Sequence, residues 1–227
     1  MEILINSYNN MKYIILSDTH GKHNIPLPDG DILIHCGDWS MRGDEIESIS
    51  FLQWFQSQPH KHKVFIAGNH DWICENNANY FKELVINYAP DCVYLCNSET
   101  IINGLKIYGS PITPTFFDWA FNKERGLPIK QYWEQIPDDV DILITHGPPQ
   151  NILDLVTMAG SPNNDQHVGC ADLSDVIFNK LTKLKLHCFG HIHDQYGNLH
   201  FKNKIFINAS LLNDKYKLVN KPIEVKI

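Results

Sequence analysis

Apolar and polar positions alternate along this chain in blocks. Short apolar runs occupy residues 12–17 (KYIILS), 31–37 (DILIHCG), 63–68 (KVFIAG), 105–110 (LKIYGS), 141–145 (DILIT), 185–190 (KLHCFG) and 204–210 (KIFINAS). Near-continuous apolarity over so few residues marks strands covered on both faces. Between several of them the period changes. Residues 44–58 set Ile46, Ile49, Leu52 (or Phe51) and Phe55 at helical spacing, and residues 79–87 and 169–184 do likewise. Strand, helix, strand predicts an α/β fold with at least one largely parallel sheet. No linker or low-complexity block divides the chain, and MAGSPNNDQH (158–167), the best loop candidate, is too short for a boundary. One domain over 1–227 is expected, with residues 1–11 as an N-terminal extension.

Composition narrows the function. With 43% hydrophobic and 20% charged residues the chain is ordinary globular material. A net charge of −7 argues against a protein that grips nucleic acid, while bound divalent cations would offset part of it. The six cysteines form no CxxC pair, and Cys92 and Cys96 flank a strand-like VYL, so they read as reduced thiols of a cytoplasmic protein. The N-terminus has no secretory pattern, and no stretch approaches the ~20 apolar residues of a membrane span.

Chemistry-bearing residues follow the apolar runs. Asp18-Thr19-His20 comes after the first, Gly37-Asp38 after the second, Gly68-Asn69-His70-Asp71 after the third, His146-Gly147 after DILIT, and Gly190-His191-Ile192-His193 after KLHCF. In open α/β sheets the carboxyl ends of strands line the ligand crevice. In an extended segment residues i and i+2 point the same way, about 6.5 Å apart, so Asp18 with His20, and His191 with His193, are expected to present paired heads. Two metal ions ~3.5–4 Å apart, sharing a carboxylate and a hydroxide, are a standard device for displacement at phosphorus. Glycine before Asp38, Asn69 and His191 allows close backbone approach.

This ordered set, D-x-H, GD, GNHD, HG and GHxH, resembles the calcineurin-like metallophosphoesterases. It is most similar to the metallophosphoesterase-domain-containing subfamily, grouped with class III cyclic-nucleotide phosphodiesterases. PHKHKVFIAGNHD, GLKIYGSP, DILITHGPP, VGCADL, CFGHIHDQYG and INAS carry the likeness, over about residues 12–210. The resemblance implies a four-layer αββα sandwich, two mixed sheets flanked by helices, with a dinuclear site at the C-terminal strand ends. It implies that Asp18, His20 and His193 hold one metal, that Asp38 bridges, and that Asn69, His146 and His191 complete the second. His70 would contact the phosphate and protonate the leaving oxygen, with Asp71 orienting its ring. The ions would be Mn, Fe or Zn, the nucleophile a metal-bridging hydroxide, and the substrate a cyclic nucleotide or related small phosphodiester. A phosphomonoesterase or phosphoprotein phosphatase, and a non-catalytic scaffold, are the alternatives.

The chain departs from the family pattern at Met41, where a small polar residue is usual, at Asp71, where relatives carry Glu, and over 155–168. The segment FFDWAFNKER (116–125) is either core or a nucleobase wall, with Phe117, Trp119 and Phe121 stacking and Arg125 meeting a phosphate. His23 would reach outer phosphate oxygens. His60-Lys61-His62 lies at the wrong end of its strand and reads as a solvated turn, while His35 and His187 read as core histidines.

Overall fold

The computed structural model describes residues 11–157 and 165–227. In a first sheet β1 (Lys12–Leu16), β2 (Ile32–His35), β3 (His62–Phe65) and β4 (Cys92–Tyr94) run parallel. A second sheet holds β5 (Ser98–Ile102), β6 (Leu105–Ser110), β7 (Ile142–Thr145), β8 (Leu186–Phe189), β9 (Gly197–Phe201) and β10 (Lys204–Asn208). Its order is β9-β10-β8-β7-β6-β5, with the inner strands parallel and both edges antiparallel. β11 (Ile223–Lys226) returns antiparallel to β1 and completes the first sheet. Every expected run is therefore a strand. The edge strands β5, β9 and β11 escaped the apolar pattern because they are largely solvent-facing and carry polar residues.

The helices α1 (Glu45–Ser57), α2 (Ala78–Tyr88), α3 (Leu127–Trp133) and α4 (Ala171–Asn179) cover the outer faces. The Asp44 carboxylate caps α1 by accepting from Glu47 N at 2.9 Å. Phe51, Leu52 and Phe55 form the buried face of α1, whereas Ile46, in its first turn, is 80% exposed. Strand alternation divides the core. Tyr13, Ile15, Ile34 and Val64 meet Ile107, Ile142, Ile144 and Ile207 between the sheets. Phe65 instead packs on Phe51 of α1 at 5.3 Å between ring centres, and Phe206 on Phe178 of α4 at 6.0 Å. The result is helix, sheet, sheet, helix. The sheets meet just past β1 and β10, where Ser17 pairs with Ser210 and Ser17 N donates to Ala209 O at 2.9 Å.

The 158–167 loop expectation lies mostly outside the described residues, but Asp165–His167 is a strand paired with Leu155–Thr157. Among the described residues no helix is long and apolar enough to cross a membrane.

Candidate metal centre

Asp18, His20, Asp38 and His191 all have left-handed backbones, with φ of 54°, 42°, 53° and 70°. Residues with a side chain rarely adopt this region unless their surroundings enforce it. The expectation of extended segments with i and i+2 side by side is thereby corrected. β1 and β8 end at Leu16 and Phe189, and tight turns, rather than strand alternation, converge the heads. The turns hold one another. Asp18 N donates to Gly37 O and His20 N to Asp38 O, each at 3.0 Å. The Asp18 carboxylate accepts from His191 N at 3.1 and 3.0 Å and from Ser210 Oγ at 2.8 Å, and Asp38 Oδ1 accepts from His70 N at 2.8 Å. Glycine is required nearby: a Cβ on Gly68 would strike the Asp38 carboxylate, and one on Gly190 the Asp18 carboxylate and Ser17 Oγ.

Three overlapping groups result: Asp18 with His20 and His193, Asp38 with His146 and His191, and His20 with Asp38 and His70. In each, the ligand-type atoms lie within 4.8 Å of one another. Asp38 Oδ2 stands 3.7 Å from His20 Nε2 and 3.3 Å from His146 Nε2, so it belongs to both sides. His193 Nε2 is 3.4 Å from Asp18 Oδ1, and Asn69 Oδ1 is 2.9 Å from His146 Nε2.

The ring orientations test whether cations fit. Nδ1 of His20, His70, His146 and His193 contacts the carbonyls of Ser40, Met41, Cys36 and Asn213, at 3.0, 2.9, 2.9 and 3.0 Å. A carbonyl only accepts, so each Nδ1 carries a hydrogen and each Nε2 turns inward, where the neutral ring offers a lone pair. His20 Nε2 is buried with no hydrogen-bond partner. Imidazole lone pairs aimed at buried carboxylates repel them unless a cation lies between, and mixed N and O donors backed by carbonyls suit divalent ions. Protons partly fill that role otherwise. Burial pulls His146 down, but Asp38 and Asp18 outweigh it and hold the ring at about 9; for His193, Asp18 does the same, also to about 9. Burial holds His20 near 4 and His191 near 3.

A sequence model of the calcineurin-like phosphoesterases matches residues 11–195. This chain belongs to that family. The human metallophosphoesterase domain-containing protein 1 is 36% identical to this phosphoesterase over 95% of the present chain and 71% of its own. A UPF0046 protein of Caenorhabditis elegans is 37% identical over 95% and 80%. Among solved structures, the phosphopantetheinyl hydrolase of Mycobacterium tuberculosis superposes with a TM-score of 0.62 over 92% of both chains at 12% identity. TT1561 of Thermus thermophilus does so at 0.59, over 88% and 89%, also at 12% identity. Family membership supports hydrolysis of a phosphoric ester with divalent metals, and the two solved structures share the fold.

Several expected roles in this phosphoesterase fall elsewhere. Asp71 does not touch the His70 ring. Its carboxylate accepts from Gly68 N, Asp38 N, Ser40 N and Ser40 Oγ at 2.7, 2.9, 3.0 and 2.6 Å, so it shapes the Asp38 turn. Burial and the Asp38 charge push its pKa up, against the hydrogen bonds from Ser40 and Gly68. The ring of His70 is oriented by the Met41 carbonyl instead, which makes the Met41 side chain irrelevant to that contact. His23 does not reach the site: it stacks on Trp54 at 5.1 Å, and burial lowers it to about 4. His60 is buried rather than solvated, with Nε2 on Pro28 O at 3.0 Å. His35 and His187 are core residues, bonded to Thr19 and Thr145.

The aromatic segment divides between wall and core. Trp119 lies over His70 at 4.2 Å, Phe116 contacts His191 at 5.0 Å, and Phe117 is 87% exposed on the rim, while Phe121 is buried in the core. Arg125 does line the cavity, but its guanidinium donates to Gly169 O at 2.8 Å and Val168 O at 2.6 Å, fixing the opposite wall. Asp194, Asp214 and Tyr216, which no sequence motif marks, also line it.

Proposed function

We propose that this phosphoesterase is a dinuclear metal-dependent phosphodiesterase acting on a cyclic nucleotide or related small diester. Asp18, His20 and His193 would hold one ion, Asn69, His146 and His191 a second, and Asp38 would serve both; Mn, Fe or Zn suits such donors. The observation that carries the diester reading is the lining of the cavity of about 710 Å³ over these residues. Besides the proposed ligands it includes Asp194 and Asp214, and among the described residues the one arginine or lysine lining it is Arg125, already tied to backbone carbonyls. A phosphomonoester carries about −1.5 to −2 charges at neutral pH and favours a basic clamp. A diester carries a single charge and meets less repulsion. The apolar rim of Phe116, Phe117 and Trp119 suits a nucleobase.

When bound, the two ions supply Lewis acidity to the phosphoryl group and an acidified water as nucleophile. His70 works on the leaving side. With Nδ1–H held by Met41 O, only the cationic ring carries a proton on Nε2. That proton passes to the departing oxygen as its P–O bond breaks, leaving a neutral ring.

The test compares bis(4-nitrophenyl) phosphate with 4-nitrophenyl phosphate, then 2′,3′- and 3′,5′-cyclic nucleotides, with each metal in turn. Higher kcat/KM on the diester is expected. Preference for the monoester would overturn the diester reading, and inactivity with every metal would return the chain to a scaffold role.

A further inference from the structure

Tyr216 lies beyond residue 195, where the family match ends. Its ring nonetheless faces the centre of the site, with ring centres 4.9 Å from His20, 5.4 Å from His193 and 6.3 Å from His70. Asp214, Lys215 and Lys217 around it are exposed, while Tyr216 turns inward, is half-buried and lines the cavity. The turn that does this is fixed. Tyr216 has a left-handed backbone, φ 54°, its N–H donates to Asn213 O at 2.8 Å, and Lys22 Nζ donates to its carbonyl. Asn213 Oδ1 accepts from Lys215 N and Lys217 N at 3.1 and 3.0 Å. The Asn213 carbonyl also orients the His193 ring, so one peptide sets both groups.

We propose that Tyr216 is a substrate-binding residue, donating its phenolic hydroxyl to a phosphoryl oxygen held over the metal ligands. The inference rests on the phosphoester reading of the site. Among the described residues nothing hydrogen-bonds this hydroxyl, whereas Tyr196, further along the surface, donates to Lys221 O at 2.9 Å. Among the described residues Arg125 is the one arginine or lysine lining the cavity, and it is engaged with Val168 and Gly169, while Asp194 and Asp214 there repel an anion. A neutral phenol binds a phosphoryl oxygen without competing for the cations. Trp119 also packs on His70, with ring centres 4.2 Å apart, so both aromatics neighbour the proposed acid.

Tyr216→Phe in the metal-loaded full chain keeps the ring and removes the hydroxyl. A hydrogen bond to a charged group corresponds to about tenfold or more. The variant should lose that factor in kcat/KM for bis(4-nitrophenyl) phosphate, and inorganic phosphate should bind more weakly by a similar factor in calorimetry. Metal content should not change. Values within about twofold of wild type in both measurements would overturn the proposal. So would a parallel loss of metal, or a full loss seen only in Tyr216→Leu, since either would assign the residue to packing. Should the unaltered chain hydrolyse no diester, the phosphodiester reading fails on its own, and phosphate calorimetry still decides the role of Tyr216.

Discussion

His20, His70, His146 and His193 turn the same ring atom inward because each gives its other nitrogen to a main-chain carbonyl. The identities of these residues were legible in the sequence, since only a few side chains bind divalent ions. Their orientation was not, because every residue carries a carbonyl and nothing in Ser40, Met41, Cys36 or Asn213 announces which one is used. Asp71 misled for a related reason: adjacency to His70 suggested a partnership, while the fold spends its carboxylate on the Asp38 turn. His70 itself falls within reach of Asp38 and His20, so proximity alone does not separate an acid from a ligand. His70→Ala should lower turnover of an aryl diester by about 10²–10³-fold, as expected for loss of a general acid. Metal stoichiometry should remain that of the unaltered chain; loss of an ion in this variant would make His70 a ligand.

At the level of elements, each apolar run became a strand because a strand buried on both faces must be apolar throughout. β5, β9 and β11 face water on one side or lie at an edge, and their polar residues hid them. The turns after β1, β2 and β8 were also hidden. Asp18, Asp38 and His191 hold backbone angles that only a glycine would have advertised. The glycines that the sequence did advertise serve a different need, the close approach of one turn to the next. Gly190→Ala would press a methyl group into the Asp18 carboxylate and Ser17 Oγ. Such overpacking costs about 1–3 kcal/mol, which urea unfolding would register as a lower midpoint. Metal affinity should fall with it, and an unchanged midpoint would mean that the turn yields freely.

Across the whole molecule, the two sheets join at Ser17 and Ser210, one residue from Asp18, so the site draws ligands from both. Buried Asp18 and Asp38 are held below the usual carboxylate range despite burial, chiefly by His193 and His146, and cations between these first-sheet carboxylates and the histidines of the second sheet would bind the two sheets together. A ligand at a hundred times its dissociation constant adds about 2.7 kcal/mol, on the order of 5–10 °C in Tm for a chain of this size. Stripping the metals with a chelator and following thermal unfolding should show a drop of that order, reversed by adding the ion back; an indifferent Tm would separate the metals from the fold's stability. The same junction bears on how the chain comes to be folded. Asp18 and His191 are 173 positions apart, and contacts that distant in sequence form late because a long loop must close first. A chain emerging from synthesis can pair β1, β2 and β3 early, offering Asp18, His20, Asp38 and Asn69 with no imidazole yet from the second sheet. The proposed ligand set is assembled only once the turn after β8 has followed, so tight metal capture would mark a chain that has grown past His193.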